Sequence, residues 1–301
     1  MPLFASQPVA DTVALHDLEF GVSPQGDDYV ASALRTQNEL GVEVDIVGWF
    51  VDWTQPFPTE TARAVADHGW TPAVYWEPWD HTADDQGRYA PGEIARGAHD
   101  EYIAQWAVAA REHGGPVLLI LAPEMNSASS SWGPKHGGEA ASFVAAWRRV
   151  RSIFREQGAD NVRFVWAPAA IEDSVLPIAS MYPGSEHVDA VGMTVFNGGS
   201  ALPWGGWKSF DDLQRDTRIE IARLAPEKDF VVAAVASAEA GGDKALWIRA
   251  MFRSVRADPK SVAVIWFDHD KETNWRIDSS EASLHAIREE AAFQVSYVNA
   301  R

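Results

Sequence analysis

Val117-Leu118-Leu119-Ile120-Leu121 runs directly into Ala122-Pro123-Glu124-Met125-Asn126, and this passage decides the fold class. Five successive apolar residues read as a strand buried on both faces, as in a parallel sheet covered by helices. Glu124 stands where that strand must end. A carboxyl at such a mouth can hold a proton for a leaving group. Behind it, Ser127 to Gly133 forms a small polar loop that closes on Trp132.

Outward from this passage the arrangement repeats: buried strand, polar or aromatic tip, amphipathic helix. Further strands are expected at Phe20 to Ser23, Val44 to Val51, Pro72 to Glu77, Val162 to Ala167, Val188 to Val195, Phe230 to Ser237 and Val262 to Phe267. Helical stretches are expected at 28–40, 58–68, 93–113, 138–157, 209–223, 243–256 and 280–292, with apolar spacing of three and four clear in Phe143, Ala146, Trp147, Val150 and Phe154. Asp211 and Asp243 read as helix caps, and His113-Gly114-Gly115 and Gly158 as exits. Alternation to a count of eight predicts an α/β (β/α)8 TIM barrel, with residues 1–301 as a single domain. A doubly wound open sheet competes, but no Gly-rich phosphate fingerprint follows the first strand.

Composition narrows the partners. A formal charge of −18 without a basic patch argues against nucleic acid. The absence of cysteine removes thiolate chemistry, disulfides and sulfur-ligated metals. Met1 to Ala14 has neither a basic start nor a long apolar run, so no signal peptide is expected there, and no stretch reaches the length of a membrane span. Asp268-His269-Asp270 has the composition of a metal site without a supporting histidine cluster, so no metal and no cofactor are expected. Ser129 to Ser131 lacks a G-x-S-x-G elbow.

The anomaly is fourteen tryptophans. Trp106, Trp147 and Trp247 fall within helical patterns and read as packing. In a barrel of this kind, reactive groups belong at the C-terminal strand ends. There stand Trp49 and Trp53 after the second strand, and Trp76, Glu77 and Trp79 after the third. Glu124, Asn126 and Trp132 follow the fourth, Trp166 the fifth, Asn197, Trp204 and Trp207 the sixth, and Trp266 and Asp268 the eighth. Indole faces stack on the C–H faces of pyranose rings, and carboxylates and amides bind hydroxyls, so this rim reads as a carbohydrate cleft. The Gly/Pro loop carrying Trp204 and Trp207 favours exposure. A rim that merely plugs the barrel top is the competing reading.

In order and combination these motifs resemble glycoside hydrolase family 26, the retaining β-glycanases best known as β-mannanases. Trp76-Glu77-Pro78-Trp79 resembles the family's third strand end, Glu124-Met125-Asn126 with Trp132-Gly133 its acid/base strand, and Trp266-Phe267-Asp268 with Trp275-Arg276-Ile277-Asp278 its eighth-strand region. The resemblance spans roughly residues 18 to 290. It implies double displacement by two carboxyl groups about 5–5.5 Å apart, with Glu124 at the acid/base position. Substrate-binding roles are expected for Trp49, Trp53, Trp76, Glu77, Trp79, Asn126, Trp132, Asn197, Trp204, Trp207, Glu239, Trp266 and Asp268, with packing of the mouth the alternative for Trp49, Trp53, Trp76 and Trp79, buried support for Glu77, and orienting Glu124 or shaping the loop for Asn126. A β-linked polysaccharide, β-1,4-mannan or β-1,3-1,4-glucan, is the implied substrate, met outside the cell by a monomer.

The family nucleophile is a glutamate on the seventh strand, and here its register falls on Ala234. An engineered knock-out, a natural sugar-binding pseudo-enzyme, or a register in which Glu239 attacks would each account for this. Other departures bear on substrate: Pro123 replaces a histidine, Ser129 an aromatic residue, and Phe196 a tyrosine beside the nucleophile. They turn the expectation away from mannan alone.

Overall fold

The computed structural model describes residues 18–134, 139–170 and 176–292. The N-terminal segment from which no signal peptide was read lies outside them. Eight parallel strands close into one barrel in sequence order: β1 (Glu19–Pro24), β2 (Ile46–Asp52), β3 (Thr71–Glu77), β4 (Val117–Leu121), β5 (Val162–Trp166), β6 (Ala190–Asn197), β7 (Asp229–Ser237) and β8 (Ser261–Asp268). The ring is sealed by β1 pairing with β8. The (β/α)8 expectation holds, and each strand lies within two residues of its predicted bounds.

Eight helices pack around the barrel among the described residues: α1 (Tyr29–Leu40), α2 (Thr59–Asp67), α3 (Pro91–Ala95), α4 (Asp100–His113), α5 (Ala140–Glu156), α6 (Phe210–Leu224), α7 (Lys244–Arg256) and α8 (Glu281–Ala292). The single helix expected over 93–113 is two, because the chain turns at Gly97 with φ of 92° before α4 begins. Asp243 caps α7 through its Oδ1, as read. On α6 the cap is Ser209, accepting from the Asp212 amide, rather than Asp211. None of the described helices is long and apolar enough to cross a membrane.

The barrel wall sorts side chains by size. Inward positions carry small residues or short aliphatics: Ile46, Ala73, Ile120, Val165, Ala190, Ala233, Ala234, Ala263 and Ile265 form one interior cluster. Gly192 belongs to the same face, where a Cβ would lie 2.3 Å from the Val231 carbonyl oxygen. Large side chains alternate outward into the helical layer, which is the main core. Trp76 stacks on Trp106 of α4 at 4.3 Å, Trp49 on Tyr29 of α1 at 5.5 Å, and Trp166 meets Tyr182 edge-on at 5.1 Å.

One irregularity falls at the site. Met193 of β6 pairs with Val232 of β7, but the next residue, Thr194, pairs with Ala234. Ala233 is the extra residue of a bulge, so Ala233 and Ala234 both face the interior. Bulges of this kind re-aim side chains beside functional sites.

Candidate functional site at the barrel mouth

Glu124 sits one turn beyond the end of β4 in a backbone conformation that its sequence does not advertise. Ala122 and Glu124 have φ of 44° and 54°, the left-handed region that non-glycine residues seldom adopt. Such positions cost on the order of 1–3 kcal/mol and persist only when their surroundings over-determine them. Here the Glu124 amide donates to the Ala167 carbonyl at 2.9 Å, and its carbonyl accepts from the Ser127 amide at 2.8 Å and the Ser130 hydroxyl at 3.0 Å.

Asn126 extends the same anchoring. Its amide group donates to the Ala169 carbonyl at 3.0 Å and accepts from the Ala169 amide at 2.8 Å, clamping the β4 loop to the segment after β5. With 1% exposure it is a structural clamp. Of the readings open for Asn126, a sugar contact, an orienting bond to Glu124 or a residue that shapes the loop, these bonds favour the last. Asn197 is likewise 1% exposed and is spent on Ser237 Oγ and the Lys208 amide.

The Glu124 carboxyl is turned toward β6, where Thr194 Oγ1 donates to Oε1 at 2.6 Å. Thr194 is the register partner of Ala234. Neighbouring strands lie about 4.8 Å apart, so one strand spacing and one hydrogen bond separate position 234 from the Glu124 carboxyl. Burial pushes the Glu124 carboxyl up, opposed by the Thr194 hydrogen bond and by Lys271, with Glu272 adding to the rise.

A second carboxyl shares the mouth. Glu77, at the end of β3, accepts from Trp79 Nε1 at 3.1 Å, and burial raises it to about 7, with the Glu124 charge adding to the effect and Trp79 and Lys271 opposing it. Glu77 therefore retains its proton well above the usual carboxylate range, and the Glu124 carboxyl is shifted in the same direction. Lys271, on the loop after β8, is the cation acting on both.

The aromatic lining differs from the expected one. Phe50 stacks on Tyr75 at 4.5 Å and meets Phe267 edge-on at 6.0 Å. Phe196 meets Phe267 at 5.4 Å, and Phe267 stacks on His269 at 4.0 Å. Tyr75 crosses the barrel, its hydroxyl donating to the Ala233 carbonyl beside position 234. His269 is thus an aromatic partner, and burial lowers it to about 4. Among the described residues no three His, Asp or Glu side chains gather as metal ligands do.

The tryptophan rim needs correcting residue by residue. Trp49, Trp76, Trp166 and Trp266 are at most 2% exposed and point outward, since strand alternation gives the inward places to Phe50, Tyr75, Ala167 and Phe267. Trp266 donates to the Trp275 carbonyl and lies under the Lys244 ammonium, so it offers no face to a sugar. Trp53 is wrapped by Trp76, Tyr89, His99 and Tyr102. Trp132 is 5% exposed and donates to the Pro123 carbonyl. Trp79 is half-buried and supports Glu77. Trp207 lies against Gly242, leaving Trp204, 51% exposed on the loop after β6, as the open indole face.

Two acidic residues also change role. Glu239 accepts from Ser279 and Ser283, both at 2.7 Å, and so ties β7 to the entry of α8. Asp268 Oδ1 accepts the Ile277 amide at 2.7 Å and closes the loop after β8. Thr194, Tyr75, Phe50, Phe267 and Lys271 are mouth residues that sequence reasoning passed over. Their signal was phase: each strand residue among them stands two places beyond an inward small or short side chain.

The model of glycosyl hydrolase family 26 matches residues 83–234. Endoglucanase H of Acetivibrio thermocellus is 34% identical over 269 residues, covering 86% of this chain and 29% of that protein. The chain thus spans less than a third of that relative's length. Among solved structures, the catalytic domain of the Bacillus sp. JAMB-750 endo-β-1,4-mannanase superposes with a TM-score of 0.68 at 18% identity, covering 91% of this chain and 85% of that one. A Cellulomonas fimi endo-β-1,4-mannanase gives 0.67 at 16% identity, over 92% and 70%. At such identities these two likenesses speak for the fold alone.

Proposed function

Since the chain belongs to glycosyl hydrolase family 26, we propose that its barrel mouth is the site of a retaining endo-β-glycan hydrolase with the attacking carboxyl replaced by Ala234. Glu124 is the proton donor: buried, raised in pKa and set beside the place where the glycosidic oxygen must lie. The observation carrying this reading is the Glu124–Thr194–Ala234 alignment. It sets the two positions close together at the mouth, as the two carboxyls of a double-displacement pair must be. The two serine bonds of Glu239, which turn it toward α8, speak against it as the attacker.

In the parent reaction a carboxylate at 234 attacks the anomeric carbon while Glu124 protonates the departing oxygen. Water then cleaves the ester with Glu124 acting as base. A methyl group cannot form that ester. The chain as given binds glycan and turns it over negligibly. A mixed-linkage β-glucan is the favoured substrate, because the 34% identical relative bears the name endoglucanase, and Pro123, Ser129 and Phe196 depart from the mannanase pattern. Such a polymer is met outside the cell, where we place the protein.

Ala234 itself favours a second reading, a barrel that only binds glycan. One experiment separates the two. Ala234→Glu is assayed on mixed-linkage glucan, mannan and β-1,3-xylan, with Ala234→Glu/Glu124→Gln as control. Hydrolysis by the single variant that collapses in the double variant is expected. Tighter or weaker binding without turnover on any of the three polymers sinks the hydrolase reading.

A further inference from the structure

We propose that Thr194 is the positioning residue of the proton donor, fixing the rotamer of Glu124 and directing its acidic hydrogen to Oε2, the oxygen left for the glycosidic bond. This rests on the reading of Glu124 as the acid. It goes beyond it by assigning a role to a β6 residue that neither the motifs nor the family resemblance single out.

The argument begins with Oε1. It accepts from the Thr194 hydroxyl at 2.6 Å, and a carboxyl oxygen engaged as an acceptor is the carbonyl oxygen of the neutral acid. The hydrogen then sits on Oε2. An acid free to turn would present it on either oxygen and lose alignment with the leaving group. Proton transfer demands that alignment within a narrow range of distance.

Thr194 is suited to the task because it cannot drift. It is 3% exposed, and β-branching restricts its χ1. Its amide donates to the Pro168 carbonyl at 3.0 Å, and its carbonyl accepts from the Ala170 amide at 2.9 Å. Between those two lies Ala169, held on both sides by the Asn126 amide. Asn126 is two residues from Glu124. The hydrogen bonds therefore close a circuit that leaves the β4 loop at Asn126, passes through the segment after β5 to Thr194, and returns to Glu124.

Phe196 stands two places beyond Thr194 on β6. The two share the inward face of β6, and Phe196 carries no hydroxyl. It faces Phe267 and Trp275 at 5.4 Å in each case. Pro123, directly before the acid, offers no side-chain donor either. The polar support of this acid is thus set on β6, two strands away around the barrel, rather than next to it in sequence.

The test uses Thr194→Val, which keeps the shape and removes the donor, with Thr194→Ser as the rescue. In the chain as it stands, the Glu124 carboxyl is titrated by its infrared carbonyl band, identified by subtraction of Glu124→Gln. Loss of a charge-assisted donor is expected to move the Glu124 midpoint upward by about one to two units in Thr194→Val, and Thr194→Ser is expected to return it. In the Ala234→Glu background, the alkaline limb of kcat/KM is expected to move upward with the same sign, with kcat reduced and KM little changed. Melting curves establish that each variant is folded. A Glu124 midpoint unmoved in folded Thr194→Val overturns the proposal, as does a uniform loss of rate that serine does not restore. If Ala234→Glu/Glu124→Gln remains active, the acid assignment fails, and the titration still judges the Thr194 bond independently.

Discussion

Replacing Glu77 by glutamine removes a buried titrating group at the mouth, and its effect on stability follows from the structure. Native Glu77 holds its proton to about pH 7, whereas in the unfolded chain it releases it near the ordinary value of 4.5. Between those values the native state binds more protons than the unfolded state, so stability falls as pH rises through the window. Two and a half units correspond to about 3 kcal/mol. Glutamine keeps the acceptor oxygen for Trp79 Nε1 and has no charge to bury, so this slope disappears. For 301 residues, an unfolding entropy of about 2 cal/mol/K per residue converts 3 kcal/mol into about 5 °C. The measurement is Tm, or a urea midpoint, of both proteins from pH 4 to pH 8. The variant should match the parent near pH 4 and gain steadily to about 5 °C by pH 8. Curves that run parallel across the range would refute the claim that Glu77 stays protonated.

Two other predictions separate packing from binding. Trp76→Ala empties the stack on Trp106 and should cost about 3–5 kcal/mol, while oligosaccharide affinity of the folded fraction, read by calorimetry below the melt, is unchanged. Trp204→Ala, at an indole 51% exposed, should leave stability within about 0.5 kcal/mol and weaken binding of the same oligosaccharide; the reverse pattern for the pair would restore the tryptophan rim as a sugar surface. Gly192→Ala places a Cβ 2.3 Å from the Val231 carbonyl oxygen and should destabilise by about 1–3 kcal/mol, visible as a lower urea midpoint with an unchanged slope; an unaltered midpoint would mean that β6 and β7 are not so closely apposed.

The barrel was legible because its determinants are local. Each strand is a short apolar run closed by a polar or aromatic tip, and each helix an apolar stripe at spacings of three and four, so bounds came within two residues for β1 through β8. The break between α3 and α4 was hidden because apolar residues continue across it, Ile94 and Ala95 before and Ile103 after. Only the turn at Gly97 interrupts the helix.

The site was legible in its chemistry and illegible in its orientation, and the reason is physical. In a parallel barrel both faces of a strand are buried, so polarity does not alternate and cannot report which side chains face the axis. Size does alternate. Ala73, Ala190, Ala233 and Ala263 occupy the narrow interior, and Trp49, Trp76, Trp166 and Trp266 the roomier layer against the helices. Had size been read in place of polarity, those four indoles would have gone outward, and Phe50, Tyr75, Thr194 and Phe267 would have filled the mouth. Position 234 breaks even that rule. The bulge at Ala233 turns two successive residues inward, and a strict period of two starting from Val231 would have sent Ala234 to the helices. The left-handed backbone at Glu124 is equally silent in the sequence, since nothing in Ala-Pro-Glu names it. Where the chain departs from its own regularities, at a bulge and at two strained residues, it brings Glu124, Thr194 and position 234 together. Those departures support a chemical role for the mouth more directly than the count of its aromatic residues does.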